Sequence, residues 1–267
     1  MPLHLAPSFR DQLAASDRSF VGMWVCSGSP LLAEVAAGSG LDWLLIDMEH
    51  SANTLEPVQL QLQAVAAYPI TPLVRAPSND AVAIKQILDL GAQNLIVPMV
   101  SSAAEARDAV AATRYPPLGV RGVGSALARS ARWNRVDRYL QESAAHTSLT
   151  VQIETAAGVD AASEIASVDG VDAVFVGPSD LSASMGFLGQ QTHPDVVAAV
   201  ERVFDAVKSA GKPVGVNAFD PSTADAYLAA GADFVAVGAD VALLARASEA
   251  LAARFIPASG TSPRESY

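Results

Sequence analysis

Eight short apolar runs recur along the chain, spaced to leave room for a helix between neighbours. They are GMWVC (22–26), WLLID (43–47), TPLVR (71–75), NLIVP (94–98), TVQIE (150–154), AVFVG (173–177), PVGVN (213–217) and FVAVG (234–238). Most are continuously apolar rather than alternating, the pattern of parallel strands covered on both faces. Between them lie alanine-rich stretches of helical period, such as PLLAEVAAGSG, AVAIKQILDLGA, AAEARDAVAATR and PDVVAAVERVFDAVKSAG. Gly91, Gly211 and Gly231 stand where helix C-terminal caps belong. Eight β-α units in about 250 residues predict an α/β fold, a TIM (β/α)8 barrel, as one domain over 1–256. An open doubly wound sheet is the competing architecture, but CSGSP after the first run is not its glycine-rich phosphate turn. Residues 115–147 form a long insertion between strands four and five, of a length that usually carries function. The last residues, 257–267, read as a polar, disordered tail.

Composition narrows the partners. Half of the 267 residues are hydrophobic (51%), and the formal charge of −11 is spread without blocks. A diffuse acidic balance argues against nucleic-acid and anionic-membrane surfaces, while a local arginine still permits an anionic substrate. The single cysteine, Cys26, rules out an intrachain disulfide. The first twenty residues lack the basic and apolar regions of a signal peptide, and no apolar run is long enough for a membrane span. A soluble cytoplasmic protein is expected.

In such a barrel, residues just beyond the strand C-termini form the site. Here they are Trp24 and Ser27; Asp47, Glu49 and His50; Arg75; Pro98; Gln152 and Glu154; Gly177, Ser179 and Asp180; and Asn217. Glu154 and Asp180 end consecutive strands. Two such carboxylates repel without a cation, and they make an oxygen-ligand site for Mg²⁺, Mn²⁺ or Co²⁺ with positions left open. The plainer alternative is one helix cap and one arginine pair. His50 has Asp47 and Glu49 nearby to raise its basicity and orient a ring nitrogen, which suits a general base; a lone histidine is otherwise structural. Arg75, directed into the mouth, suits a carboxylate or a developing enolate, or a rim ion pair with Asp47 or Glu49. The lysines, Lys85, Lys208 and Lys212, fall away from the strand ends, so a Schiff base has no candidate. No G-x-S-x-G elbow occurs.

Four stretches, LLIDMEHSANTL, RYPPLGVRGVGSALARSARWN, VQIET and VDAVFVGPSDLSASMG, closely resemble the 4-hydroxy-2-oxoheptanedioate aldolases. These are metal-dependent (class II) pyruvate aldolases of the phosphoenolpyruvate/pyruvate barrel superfamily, and the likeness spans nearly the whole chain. The resemblance implies a divalent metal on Glu154 and Asp180. It implies contacts to the bound 2-oxo acid from Gln152 and from the Gly177–Pro178–Ser179–Asp180 turn. It makes His50 the base, with Asp47 beside it, and Arg75 the group that stabilises the transition state. Asp89, in KQILDLGA, becomes an aspartate that raises the histidine's basicity across a subunit boundary. Trp24 and the 119–134 segment are expected to shape the aldehyde pocket, apart from the 2-oxo acid. The family further implies a homo-oligomer, a hexamer built as a trimer of dimers, with the C-terminal helix swapped between subunits.

The implied reaction is retro-aldol cleavage of a small 2-oxo acid. His50, directly or through a water it activates, takes the 4-hydroxyl proton; the C3–C4 bond breaks; Arg75 holds the negative oxygen of the pyruvate enolate. For the heptanedioate the products are pyruvate and succinic semialdehyde. The chain departs from the family pattern at GVNAFDPSTADAY, a loop placed to select the aldehyde. Competing readings are a 2-keto-3-deoxy sugar-acid aldolase with the same metal site, and an acyl-CoA lyase, for which no basic nucleotide pocket is evident. More distant are a non-aldolase barrel using FVAVGAD as a phosphate turn and a non-catalytic binding protein.

Overall fold

The structure, a computed structural model, describes residues 3–256, so the expected 257–267 tail lies outside the described residues. Eight strands form: β1 (Phe20–Val25), β2 (Trp43–Asp47), β3 (Thr71–Arg75), β4 (Asn94–Val97), β5 (Ser148–Ile153), β6 (Ala173–Val176), β7 (Val214–Asn217) and β8 (Phe234–Ala239). All pair in parallel in sequence order, and β8 closes on β1, so the expected (β/α)8 barrel forms. The helices are α1 (Phe9–Ala15), α2 (Pro30–Ala37), α3 (Leu55–Ala64), α4 (Ala81–Asp89), α5 (Ala103–Thr113), α6 (Tyr139–Glu142), α7 (Ala156–Asp160), α8 (Ala162–Ala166), α9 (Pro178–Ser184), α10 (Pro194–Ser209), α11 (Pro221–Ala229) and α12 (Asp240–Phe255). Gly91, Gly211 and Gly231 have positive φ (92°, 72° and 93°) just past α4, α10 and α11, as a left-handed helix cap requires. None of the described helices is long and apolar enough to cross a membrane.

Two cores follow from the alternation of strand side chains. Val, Ile, Leu and Ala residues fill the layer between barrel and helices, whereas Phe20, Trp24, Trp43, Phe175 and Phe234 crowd the interior. Room for these rings comes from glycine: a Cβ on Gly22 would stand 2.4 Å from the Trp43 ring, and one on Gly215 2.3 Å from Phe234. The N-terminal end is plugged by α1, a helix the periodicity did not reveal. Ser8 and Asp11 form its capping box, and Phe9, fully buried, packs on Phe20, Trp43 and Phe234.

Of the two placements open to the insertion, over its own barrel's mouth or over a neighbouring subunit, the structure excludes the first. The insertion follows α5, so the chain enters it at the N-terminal end of the barrel, and there it stays. Arg129 donates to the Leu90 carbonyl at 3.0 Å, Arg121 pairs with Asp89, and Leu3 donates its N–H to the Arg135 carbonyl. Its small core is Tyr115, Ala131, Val136 and Tyr139. It does not cover the mouth of its own barrel. Helix α12 also departs from a simple barrel. Asp240 is buried, but from Leu243 onward the helix is exposed, including Leu243, Leu244, Leu251 and Phe255.

Candidate active site

The strand register assembles the mouth. Asp47 ends β2 opposite Arg75, which ends β3. Laterally paired residues share a face, so the two side chains meet. The Arg75 Nε and Nη2 donate to the two Asp47 carboxylate oxygens at 2.8 and 2.9 Å, and Nη1 pairs with Glu49 at 2.8 Å. The Trp24 indole lies on the guanidinium, 4.3 Å from its carbon, and donates its Nε1–H to Asn217 Oδ1 at 2.7 Å. A buried cation held by two carboxylates and an aromatic face is fixed in position and stays charged.

The geometry corrects two expectations. Asp47 does not touch the His50 imidazole. Its carboxylate is occupied by Arg75 and by the backbone N–H groups of Glu49 and His50. The exposed His50 ring has no hydrogen-bond partner among the described residues. Trp24 does not stand apart as a wall: it is 7% exposed and forms the floor beneath Arg75, next to Phe175. Sequence position placed it at the rim, but it could not tell a side chain turned into the barrel from one turned along it.

Gln152 and Glu154 come from the end of β5, both buried. Gln152 Nε2 donates to one Glu154 oxygen, and the Met99 N–H donates to the other at 2.7 Å. Met99 holds the left-handed region (φ 58°) in doing so, the kind of local strain found at functional sites. Gly177 allows the pair to sit close to β6, since a Cβ there would stand 2.6 Å from the Glu154 carboxylate and 2.8 Å from Gln152 Nε2. Pro178 is buried at the start of α9, and Ser179 and Asp180 follow, exposed in its first turn. Burial pushes the Glu154 carboxyl up to about 7; the Met99 N–H opposes the shift, and the charges of Glu49 and Asp180 add to it. Glu49 is raised by burial as well, against the pull of Arg75.

This donor set fits a hard divalent cation. Glu154 is a buried carboxylate whose neighbours penalise its charge, and the Oε1 of Gln152 beside it is buried without a partner. No group of three His, Cys, Asp or Glu side chains gathers to hold a metal among the described residues, so an ion on Glu154 and Asp180 would keep positions open for substrate.

Comparison with known proteins decides the family. Residues 21–247 match the model of the HpcH/HpaI aldolase/citrate lyase family. The chain belongs to that family. It is therefore an enzyme of the aldolase type, a carbon–carbon lyase. A 4-hydroxy-2-oxo-heptane-1,7-dioate aldolase of Salmonella arizonae is 54% identical over 248 residues, covering 93% of this chain and 94% of that one. One of Salmonella typhi is 52% identical with the same coverage. Among solved structures, an HpcH/HpaI aldolase/citrate lyase family protein from Burkholderia cenocepacia J2315 superposes with a TM-score of 0.88 at 41% identity. It covers 92% of this chain and 98% of that one.

Within this HpcH/HpaI aldolase fold the mouth brings together His50, Arg75, Asp47, Gln152, Glu154, the Gly177–Asp180 turn and Trp24. Asp89 is not among them. It ends α4 at the opposite face, paired with Arg121 at 3.2 Å, so it does not reach the His50 of its own chain. Sequence reasoning passed over Met99, which lies two residues beyond β4, and left Glu49 and Asn217 uncommitted. It also missed Asp240, whose carboxylate accepts the backbone N–H groups of Cys26 and Ser27 and ties α12 to the end of β1. The signal for Met99 was positional, since strand-end backbone in a barrel faces the site as directly as side chains do.

Proposed function

We propose that this aldolase cleaves 4-hydroxy-2-oxo acids to pyruvate and an aldehyde with the help of Mg²⁺, Mn²⁺ or Co²⁺. Its preferred substrate is 4-hydroxy-2-oxoheptanedioate, giving pyruvate and succinic semialdehyde. The observation that carries the reaction is the clamped Arg75 cation sharing a mouth with the buried Gln152–Glu154 pair. The names of relatives 52–54% identical support the substrate.

Glu154 and Asp180 would hold the cation, which when bound polarises the keto oxygen of the 2-oxo acid and compensates the buried carboxylate. Gln152 and the Ser179 backbone contact the acid. Arg75 holds the negative oxygen that develops as C3–C4 breaks, and its ion pairs with Asp47 and Glu49 keep it from reorienting. His50 takes the 4-hydroxyl proton, directly or through a water, and a proton returned to C3 of the enolate gives pyruvate; in the reverse direction pyruvate loses that proton and His50 gives its own to the new alkoxide. The His50 ring has no hydrogen-bond partner among the described residues, and the likeness to the heptanedioate aldolases gives the orienting role to Asp89 of a second copy.

That arrangement requires an oligomer, and the surface supports one. Helix α12 leaves its own barrel after the first turn and exposes Leu243, Leu244, Leu251 and Phe255. Leu31 and Val35 on α2, the neighbouring helix position, are also exposed. Exchange of α12 between two copies covers both faces. We propose a soluble cytoplasmic hexamer of three such dimers, in which the outward insertion residues Leu118, Val123 and Leu127 face a neighbour.

The test is pyruvate release from a panel of 4-hydroxy-2-oxo acids after chelation, with and without added divalent metal. Activity should vanish on chelation and return with metal, and the heptanedioate should give the highest kcat/KM. Covalent trapping of pyruvate by borohydride, or full activity in a monomer, would overturn the reading.

A further inference from the structure

At the end of the barrel opposite the mouth, a cavity of about 310 Å³ lies between the N-terminal segment, the starts of β3 and β4, and the insertion. Its walls include Leu5, Leu62, Ile70 and His4, its charged residues are Arg129 and Arg132, and no Asp or Glu lines it. In a chain of 28 acidic residues against 17 basic, that lining is unusual.

The two arginines converge. A Cβ on Gly91 would stand 2.8 Å from Nη1 of each, so the guanidinium groups share the space above one α-carbon. Buried or half-buried arginines elsewhere have carboxylate partners: Arg10 pairs with Asp172, Arg75 with Asp47 and Arg121 with Asp89. Arg129 and Arg132 have no carboxylate partner among the described residues. Arg129 donates to the Leu90 carbonyl and Arg132 to the Arg129 carbonyl. Both are half-buried, and burial together with the Arg132 charge pushes Arg129 down to about 10. Two desolvated like charges side by side are costly unless an anion joins them. The amides that line the same cavity are already engaged: Gln12 with Thr71 and the Pro7 carbonyl, Gln93 with the Ala6 and His146 carbonyls. The spare side-chain donors there are the guanidinium N–H groups and the His4 ring.

We propose that this cavity binds a small organic carboxylate, its oxygens between Arg129 and Arg132 and its short hydrocarbon body against Leu5, Leu62 and Ile70. Arginine presents paired N–H donors that match a carboxylate, and the apolar walls favour a ligand with carbon behind the charge over a bare inorganic anion. The site is distinct from the mouth, and its test does not depend on the reaction assigned there.

The experiment uses the intact oligomer saturated with pyruvate and divalent metal, so that the mouth is filled. Benzoate, inorganic phosphate and chloride are titrated by calorimetry, with the melting temperature followed in parallel. Saturable benzoate binding, at least tenfold tighter than chloride or phosphate, is expected. It should weaken at least tenfold in Arg132→Gln and in the Arg129→Gln/Arg132→Gln double variant, with pyruvate release unchanged. Arg132→Gln alone removes one side-chain hydrogen bond, to the Arg129 carbonyl, so it remains informative where the double variant fails to fold. Benzoate no better than chloride, equal binding by Arg132→Gln, or phosphate binding as tight as benzoate would each overturn the proposal. So would a variant that loses its oligomeric state in light scattering, since the arginines would then serve a neighbouring copy.

Discussion

The two ends of the barrel use carboxylates in opposite ways. At the N-terminal end Asp42, Asp172 and Asp233 each stand immediately before a strand and accept the backbone N–H of a neighbouring one. They reach Val21, Leu149 and Val214 at 2.9, 2.8 and 2.8 Å. Asp42 and Asp172 also hold Arg18 and Arg10. These acids close gaps between strands and carry charge that is already answered. At the mouth the Asp180 charge works against ionisation of Glu49 and Glu154, Glu49 adds to the effect on Glu154, and the Gln152 oxygen has no partner. The same residue types fasten one end and leave charge and hydrogen-bonding capacity open at the other. Among the carboxylates, fastening is concentrated below and open capacity above, the division this architecture permits because its two ends are built from different loops.

The sharpest break of that contrast is at Arg75. Arg75→Ala removes the cation common to pyruvate deprotonation and to the aldol step. Turnover should fall roughly 10²–10³-fold, the range for losing one preorganised group that stabilises an oxyanion. Because the change leaves Asp47 buried without its partner, Arg75→Lys is the companion variant; it keeps the charge and loses the paired geometry. Deuterium exchange at the pyruvate methyl group reports on the enolate alone. Exchange at the wild-type rate in both variants would remove Arg75 from the chemistry.

Glu154 should show its environment in the pH dependence of the metal-free protein. Its carboxyl is raised from 4.5 to about 7 in the folded chain. Between those values the folded state holds a proton that the unfolded state has released. Stability therefore falls as pH rises through this window and levels off above about 7. A divalent cation takes the proton's place, so its affinity should climb by up to about tenfold per pH unit within the window, with proton release on binding. Glu154→Gln should flatten the stability slope and weaken cation binding. Melting curves and calorimetry in buffers of different ionisation enthalpy measure both, and an unchanged slope in Glu154→Gln would assign the effect to another group.

At the other end the expected effect is on folding. Asp233→Ala orphans the N–H of Val214, which is fully buried in β7. The loss should be about 1–3 kcal/mol of stability, with kcat for pyruvate release within about twofold of wild type in the folded fraction. A large loss of kcat with little loss of stability would mean that the two ends are not separable.

The barrel itself was legible because its pattern is redundant. Each of the eight apolar runs became a strand within a few residues, and the three glycines did cap their helices. Helix α1 escaped because it is too short to show a period, although Ser8-x-x-Asp11 was a readable capping signature. The direction of the insertion was also available in principle. A segment that follows a helix begins at the N-terminal end, and chain order says so even where composition does not. Strand ends gave away the rim but not the pairing within it. Asp47 lies three residues from His50 in sequence, yet it spends its carboxylate on Arg75, because lateral register in the sheet outranks proximity along the chain. Asp89 had no local signal at all, and its place at the far end of α4 shows why: it does not share a mouth with the His50 of its own chain.

The smallest expected effect comes from Asn217, which supports the mouth through one contact behind Arg75. Its Oδ1 accepts the Trp24 indole N–H, and Trp24 in turn lies on Arg75. Asn217→Leu removes that acceptor while keeping the volume at the end of β7. Were the site dry, an orphaned indole N–H would cost about 1–3 kcal/mol. Asn217 is half-buried and borders an open cavity with Ser179 and Phe219, so water can take over the hydrogen bond. The loss in kcat should then be only a few-fold, on the order of 1 kcal/mol, and both deuterium exchange and cleavage should share it, because Trp24 supports the cation that serves both. KM for the 2-oxo acid should move less than kcat. An effect confined to the choice of aldehyde would instead return Trp24 to the role of a pocket wall, and would show that Asn217 acts on the substrate rather than on the arginine.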